Sequence, residues 1–279
     1  PPRASIAAGN FHAEAFSEGL CNGVWGKRAE FVASNVTGTA NVIAACEARK
    51  VRKLVFTSSP SVVFDGRDHV NASNDLPYAS TFLGDYPATK AKAEQHVLAA
   101  NGRWGLATCA LRPHLIFGSD DPHLLPRIVA RARAGKLARI GDGHNEVTLC
   151  AVENAAHAHL LAARMLEVGA PHAGRAFFIG QHEPVGLWPW IEALLARIGA
   201  PPIRRSLSAT SAYALGASLE LAWTLLRRAG EPPMTRFLAQ QLSRSHSYSM
   251  APARDAFGYR ERITTAAATE RVVEALCVR

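Results

Sequence analysis

Two short apolar segments separated by a helical pattern constrain the fold of this 279-residue chain more than any other feature. The first is Leu54–Phe56 and the second is Ala107–Arg112, and each has the length of one buried strand. A helical repeat of apolar residues runs from Phe31 to Lys50, ahead of the first strand. Because helices and fully apolar strands alternate, the sequence predicts an α/β protein with a doubly wound parallel sheet.

Polar residues follow both predicted strands. Thr57, Ser58 and Ser59 come directly after the first strand, and Pro113 and His114 come after the second. Ligands of parallel α/β sheets bind outside the carboxyl ends of the strands. Ser59 and Pro113 both fall at such ends, which favours a ligand site there.

The helix between the two strands begins with a tyrosine and a lysine one turn apart, Tyr86 and Lys90. Residues four apart on a helix share a face, with Cβ atoms about 5–6 Å apart. Pro87 suits the first turn, where its missing N–H costs nothing. Chance alone gives roughly 0.1 Tyr-x-x-x-Lys matches in such a chain. A second interpretation therefore stays open, in which Lys90 pairs with Glu94 on a solvated face.

A tyrosine hydroxyl is a poor base at neutral pH because its unperturbed pKa is about 10. A nearby ammonium and a nicotinamide cation would favour the phenolate, and lowering the pKa by about three units takes about 4 kcal/mol. Tyr86 could then exchange a proton with an alcohol or ketone while hydride moves at its carbon. Ser59 could hydrogen-bond the same oxygen, whereas Thr57 and Ser58 could instead satisfy backbone groups.

Four segments in this order resemble the extended short-chain dehydrogenases/reductases of the NAD-dependent epimerase/dehydratase superfamily, which have a Rossmann-like fold. They are Asn35–Val42, Leu54–Val62, Tyr86 with Lys90, and Leu111–Gly118. Within that group the chain is similar to the branch of 3β-hydroxysteroid dehydrogenases, sterol-4α-carboxylate 3-dehydrogenases and 2-alkyl-3-oxoalkanoate reductases. The resemblance extends from about Gly23 to Ala275.

The resemblance implies a catalytic role for four residues. Tyr86 would be the acid/base, and Lys90 would lower its pKa and bind the cofactor ribose. Ser59 would polarise the substrate oxygen, and Asn35 would support the site from the preceding helix. An ordinary helix N-cap is the alternative for Asn35.

The resemblance also implies NAD or NADP as cofactor. Its binding residues would be Tyr86, Lys90, Thr57, Ser58, Pro113 and His114. An ordinary loop histidine is the alternative for His114. The family's glycine-rich turn, Gly-x-x-Gly-x-x-Gly, cradles the pyrophosphate at a helix N-terminus, and Gly19, Gly23 and Gly26 do not have that spacing. We therefore expect an N-terminally truncated chain, with an incomplete sheet and no residue that selects NAD or NADP.

The regular alternation of predicted helices and strands ends after Gly118, so we predict an approximate domain boundary there. Residues 1–118 are predicted to form a partial dinucleotide-binding domain, and residues 119–279 a smaller, mostly helical substrate domain with some elements packed back on the sheet. Predicted helices cover Leu124–Ala134, Val152–Glu167 and Trp188–Ile198. His157 and His159 lie two apart on one of these helices and point to different faces, so we predict no metal site.

Charge and cysteine content narrow the function further. The net charge of +8 comes mostly from dispersed arginines without interleaved aromatics, which argues against nucleic-acid binding. The 5 cysteines are scattered, and the chain starts without an apolar leader segment, so we expect a cytoplasmic protein.

The apolar segment Ala209–Leu226 lies between two arginine pairs and contains one charge, Glu220. A buried or pocket-capping helix is the first interpretation of this segment, and an interfacial helix that makes peripheral membrane contact is the second.

The leading hypothesis is an NAD(P)-dependent oxidoreductase that interconverts a secondary alcohol and a ketone. Its small apolar substrate would be steroid-like or a long-chain 3-oxo/3-hydroxy acid, which places it in steroid or lipid metabolism. A nucleotide-sugar epimerase or dehydratase and a non-catalytic truncated remnant are the alternatives. A homodimer through the Asn35 and Tyr86 helices is implied by the resemblance alone.

Overall fold

The computed structural model describes residues 25–122 and 124–278, with side chains to residue 277. Gly19 and Gly23 lie outside the described residues, so the prediction that the first strands are missing is not tested.

The described helices and strands alternate along the first half of the chain and become mainly helical later. The α-helices are α1 (Arg28–Phe31), α2 (Gly38–Ala48), α3 (Asp85–Ala99), α4 (Leu124–Arg133), α5 (Val152–Met165), α6 (Leu187–Arg197), α7 (Ala209–Leu225), α8 (Arg236–Ser243), α9 (Ala251–Phe257) and α10 (Thr265–Val278). The strands are β1 (Lys53–Thr57), β2 (His69–Ala72), β3 (Ala107–Pro113), β4 (Ile116–Phe117), β5 (Ala138–Ile140), β6 (Glu146–Val147), β7 (Cys150–Ala151), β8 (Arg175–Ile179), β9 (Val185–Gly186), β10 (Arg205–Leu207) and β11 (His246–Tyr248).

The main sheet has the order β1-β3-β8, and both pairings are parallel. Every residue of β3, the central strand, is buried. Alternate side chains of β1 point to opposite faces: Leu54 and Phe56 pack with α2 and α3, whereas Val55 packs with α5 and α9. Helices therefore cover both faces of a parallel sheet, which confirms the predicted doubly wound α/β class.

The smaller described strands form three further sheets, and elements mostly after residue 118 build a second core. β2, β11, β6 and β9 form one sheet, and the pairs β10-β5 and β4-β7 form two more. The second core is built mainly from α4, α6, α8 and α10. β8 returns to the main sheet, as expected of an element that packs back, and the boundary near Gly118 stays a prediction.

Helix limits agree with the sequence to within about two residues, which is the usual uncertainty at frayed ends. A difference of another kind occurs between α1 and α2. Residues Val32–Thr37 continue the helix with π-helical hydrogen bonding, a geometry that is often found at functional sites.

The segment Ala209–Leu226 differs from its first interpretation. α7 covers Ala209–Leu225 and buries Ala212, Gly216 and Glu220, while Leu221 and Leu225 are 60% and 72% exposed. The prediction that this helix is buried is therefore wrong, because α7 exposes leucines and buries its one charged residue. Its role as a pocket-capping helix stays a prediction.

Candidate functional site

A cavity of about 130 Å³ lies at the carboxyl ends of β1 and β3. Its lining residues come from both halves of the chain: Ser59, Pro60, Ser61, Tyr86, Pro113, His114, Leu115, Phe237, Gln241 and Tyr248. Four of the residues predicted from sequence, Ser59, Tyr86, Pro113 and His114, therefore share one cavity.

Lys90 does not line this cavity but is buried and bound to the end of β1. Its Nζ donates a hydrogen bond to the Thr57 carbonyl oxygen at 2.6 Å and lies 4.3 Å from the centroid of the Phe56 ring. Lys90 is 3% exposed. The alternative of a solvated Lys90–Glu94 pair is wrong, because Glu94 is itself fully buried and binds Arg112.

Tyr86 occupies the first turn of α3, half-buried, with its ring 6.3 Å from the Phe31 ring in an edge-to-face arrangement. The helical spacing places Tyr86 and Lys90 on one face of α3. Tyr86 therefore lines the cavity, and the Lys90 ammonium is held at the end of β1 from the next turn of the same helix face.

Asn35 lies inside the π-helical segment and is 2% exposed. Its Nδ2 donates to Thr89 Oγ1 at 2.9 Å, and Thr89 Oγ1 donates to the Asp85 carbonyl oxygen at 2.7 Å. The N-cap alternative for Asn35 is wrong, since the residue is in the helix interior. Asn35 instead joins the preceding helix to the first turn of α3, which carries Tyr86.

Thr57 and Ser58 differ in their contacts. The Thr57 hydroxyl lies 2.8 Å from His159 Nε2, and His159 Nδ1 donates to the Ala155 carbonyl oxygen at 2.7 Å. His159 therefore carries its proton on Nδ1, so the Thr57 hydroxyl donates to the unprotonated Nε2. The Ser58 hydroxyl is buried without a hydrogen-bond partner among the described residues.

His159 is a residue whose contact the sequence analysis missed. Its hydrogen bond to Thr57 holds the residue whose carbonyl binds Lys90. Nothing in the spacing of His157 and His159 indicates this contact, because it joins residues 102 positions apart. Burial lowers the pKa of His159, which keeps the imidazole neutral.

His114 is buried and is not an ordinary loop histidine. Its Nδ1 donates to the Thr148 carbonyl oxygen at 2.6 Å. Its ring meets the His246 ring edge-to-face at 4.7 Å and the Tyr248 ring at 5.5 Å. Burial, followed by repulsion from His246, lowers the pKa of His114 well below its usual value. The part of the cavity wall that His114 forms therefore carries no charge.

Acid should destabilise the protein through His246. Burial lowers its pKa from 6.5 to about 4, so the unfolded chain takes up the proton first and stability falls as pH falls through this window. The variant His246→Gln keeps a hydrogen-bond donor near the position of Nε2. Between about pH 7 and about pH 5, its free energy of unfolding should fall by about 2 kcal/mol less than that of the unmodified protein. Urea unfolding at each pH measures it.

The exposed His96 provides the matched control for that measurement. His96→Gln should leave the difference between the two pH values within about 0.5 kcal/mol of the unmodified protein. An equal pH dependence in the His246→Gln protein would contradict the assignment of acid sensitivity to His246.

A second cavity of about 200 Å³ adjoins the first. It is lined by Phe64, Asp65, Gly66, Thr81, Phe82, Leu83, Pro87, Phe237 and Gln240. Phe237 of α8 lines both cavities and meets the Phe64 ring at 6.2 Å in a perpendicular arrangement. Phe237 is therefore the lining residue that the two cavities share.

Comparison with known proteins agrees with this geometry. Residues 20–208 match the model of the 3-beta hydroxysteroid dehydrogenase/isomerase family. The chain is 48% identical over 246 residues to a 2-alkyl-3-oxoalkanoate reductase of Stenotrophomonas maltophilia (strain K279a), covering 88% of this chain and 74% of that protein. It is 37% identical over 248 residues to a sterol-4-alpha-carboxylate 3-dehydrogenase, decarboxylating, of Mus musculus, covering 88% and 68%.

A solved structure of MoeE5 in complex with UDP-glucose and NAD has the same fold. Its TM-score is 0.68 at 21% identity, with 94% of this chain and 78% of that chain covered. Other curated relatives are longer: the chain spans 53% of a 3beta-hydroxysteroid-dehydrogenase/decarboxylase of Arabidopsis thaliana.

The fold, with a serine, a tyrosine and a lysine at the carboxyl ends of parallel strands, defines an extended short-chain dehydrogenase/reductase, a class of oxidoreductase enzymes. Within that class the chain belongs to the 3-beta hydroxysteroid dehydrogenase/isomerase family, as its sequence motifs predicted.

Proposed function

We propose that the protein is an NAD(P)-dependent oxidoreductase that interconverts a secondary alcohol and a ketone on an apolar 3-hydroxy or 3-oxo acid. The observation that carries this proposal is the shared cavity lined by Ser59 and Tyr86, with the buried Lys90 ammonium held at the end of β1 one turn further along α3. A carbonyl oxygen in that cavity would meet a hydroxyl donor and a phenol together.

The names of the relatives support the acid part of the substrate. In a 2-alkyl-3-oxoalkanoate, one carbon lies between the ketone carbon and the carboxylate carbon. A sterol-4-alpha-carboxylate acted on at position 3 has the same relation between oxygen-bearing carbon and carboxylate. An apolar group on the carbon between them is also common to both, so we infer a branched 3-oxygenated acid as the substrate class.

The residues at the strand ends fit the nicotinamide half of a dinucleotide. The buried Ser58 hydroxyl has no partner among the described residues, which suits a polar group of a bound molecule. Lys90, Thr57, Pro113 and His114 would line the same half. When bound, the cofactor supplies or accepts the hydride. A Gly-x-x-Gly-x-x-Gly turn does not occur within residues 25–122 or 124–278, and the choice of NAD or NADP stays open to experiment.

Residues of the chain orient the substrate oxygen and transfer the proton. Ser59 donates a hydrogen bond to the substrate oxygen and orients it. Tyr86 transfers the proton at its phenol oxygen, and the Lys90 charge stabilises the phenolate. The Thr57 carbonyl holds Lys90, and Asn35, through Thr89, steadies the first turn of α3.

The test is net redox turnover. The protein is mixed with NADH or NADPH and a 2-alkyl-3-oxo acid, and the absorbance of the reduced nicotinamide is followed. We expect net consumption with at least one cofactor. Epimerisation of UDP-glucose without net consumption would assign the alternative epimerase activity instead. Absence of binding in a fluorescence titration with both cofactors would assign a non-catalytic remnant.

We also propose that α7 makes peripheral contact with an anionic membrane. Leu215, Leu221 and Leu225 are 43%, 60% and 72% exposed. Glu220, the one charged residue of the helix, is buried and bound to Arg236 at 2.6 Å. The outward face of α7 therefore carries no charged side chain and exposes three leucines among small and hydroxyl-bearing residues, a composition that an interfacial membrane helix can have.

Basic residues at both ends of α7 favour contact with anionic lipids. Arg204 and Arg205 precede the helix, Arg227 and Arg228 follow it, and all four are exposed. Each basic residue near an anionic bilayer contributes about 1 kcal/mol. No helix in the described part of the chain is long and apolar enough to cross a membrane.

Vesicle flotation tests the membrane contact. We expect the protein to float with phosphatidylcholine vesicles that contain phosphatidylglycerol, and less so at high salt. The double variant Leu221→Glu/Leu225→Glu should bind these vesicles at least about tenfold more weakly, since burial of one leucine is worth about 1.5 kcal/mol or more.

Leu160 on α5, 44% exposed, provides the matched control. Leu160→Glu should bind the same vesicles as the unmodified protein. Equal binding by the α7 double variant, or equal binding to vesicles of phosphatidylcholine alone, would contradict the assignment of this face to anionic lipid.

A further inference from the structure

The serine that faces the substrate oxygen receives hydrogen bonds from a second serine two residues later. Ser59 Oγ lies 3.2 Å from the backbone nitrogen of Ser61 and 3.0 Å from Ser61 Oγ. Both serines line the same cavity. Ser61 is only 8% exposed, so solvent competes poorly for its hydroxyl.

Only one of these two hydrogen bonds is needed to form the local structure. Ser59 caps the single-turn 3₁₀ helix Pro60–Val62 by accepting from the backbone N–H of Ser61. Any residue except proline at position 61 would supply that N–H. The hydroxyl of Ser61 is therefore not needed for the cap, and its hydrogen bond to Ser59 requires another explanation.

The direction of the second hydrogen bond decides what Ser59 offers the substrate. A serine hydroxyl has one proton to donate and two lone pairs that accept. The Ser61 N–H occupies one lone pair of Ser59, and the Ser61 hydroxyl can occupy the other. The proton of Ser59 is then left to point into the cavity. In the reverse direction, Ser59 would donate to Ser61 and the substrate oxygen would lose this donor.

We propose that Ser61 is a positioning residue that makes Ser59 a donor to the substrate oxygen. The chain of donation runs from Ser61 Oγ to Ser59 Oγ and on to the oxygen of the ketone. Successive hydrogen bonds of this kind polarise and strengthen one another. Their effect grows as negative charge develops on that oxygen, so Ser61 acts on the transition state more than on substrate binding. This inference depends on the proposed reductase function.

A double-mutant cycle with Ser59 tests the proposal. Activity is measured for the unmodified protein, Ser61→Ala, Ser59→Ala and the double variant with the same 2-alkyl-3-oxo acid. We expect Ser61→Ala to lower kcat by about fivefold to tenfold, with KM changed by less than about twofold. In the Ser59→Ala background, Ser61→Ala should have no further effect.

Conservative variants and a matched control complete the experiment. Ser61→Thr should restore kcat because it retains a hydroxyl, and Ser61→Cys, a near-isostere with a weaker donor, should give an intermediate value. Ser211 makes a comparable pair of hydrogen bonds with Ser208 at the exposed N-cap of α7: its backbone N–H donates to Ser208 Oγ at 3.0 Å, and Ser208 Oγ donates to Ser211 Oγ at 2.9 Å. Ser211→Ala should leave kcat unchanged.

The outcomes separate this inference from the proposed function. An equal fold loss from Ser61→Ala in both backgrounds would overturn the inference, because Ser61 would then act independently of Ser59, by direct substrate contact or through folding. Full activity of Ser59→Ala would instead overturn the role of Ser59 in the proposed function. Loss of activity in Ser61→Thr together with Ser61→Cys, with unchanged unfolding, would also overturn the inference.

Discussion

Replacing Tyr86 with phenylalanine should lower kcat for ketone reduction by about 10²–10⁴-fold, the range that a positioned general acid contributes. The change removes one oxygen atom from a half-buried side chain and leaves the ring that packs on Phe31 in place. The loss should therefore fall on proton transfer rather than on folding. Steady-state kinetics with a 2-alkyl-3-oxo acid measures it.

Tyr78 supplies the control for this substitution. It lies on the same side of α3, but its hydroxyl donates to Glu94 Oε1 at 2.7 Å and does not line the cavity around Ser59. Burial, followed by the charge of Glu94, raises the pKa of Tyr78, so this phenol keeps its proton. Tyr78→Phe should affect stability more than kcat. A Tyr86→Phe enzyme with unchanged kcat would exclude Tyr86 as the acid.

The part of the candidate site that the sequence predicts is the part built from local geometry. Tyr86 and Lys90 are related by helical spacing, and Ser59 and Pro113 follow apolar strands that are parallel neighbours. Both relations need only the periodicity of a helix and the known location of ligands in parallel sheets. The fold class was confirmed for the same reason.

The remainder of the site depends on contacts between distant residues. Phe237, Gln241 and Tyr248 line the cavity from the far end of the chain, and no local pattern relates them to Ser59. His159 reaches Thr57 across 102 positions. The sequence also suggested the wrong partner for Lys90, because helical spacing to Glu94 cannot reveal that Glu94 faces a buried arginine on β3.

That buried pair leads to the largest expected effect on stability. Glu94 binds Arg112 through both carboxylate oxygens, with Nη2 at 2.6 Å and Nε at 3.0 Å, and it is fully buried. Burial opposes the Arg112 charge, but the hydrogen bonds and charge of Glu94 outweigh it, so the pKa of Arg112 is raised. Removing one partner leaves the other charge uncompensated.

Glu94→Gln should therefore lower the free energy of unfolding by about 3–5 kcal/mol. The amide would also place a donor against the guanidinium, whose Nη1 already lacks a partner among the described residues. Urea unfolding followed by circular dichroism measures the change. The exposed Glu47 on α2 is the matched control, and Glu47→Gln should change the free energy by less than about 0.5 kcal/mol.

A double variant of this pair separates stability from catalysis. Glu94→Leu with Arg112→Met removes both charges, so most of the lost stability should return. Activity should not return fully, because Glu94 lies one turn after Lys90 and Arg112 directly precedes Pro113. The pair therefore fixes the helix that carries the phenol against the strand that carries the opposite cavity wall. A Glu94→Gln protein within about 1 kcal/mol of the unmodified protein would show that this pair does not hold the two elements together.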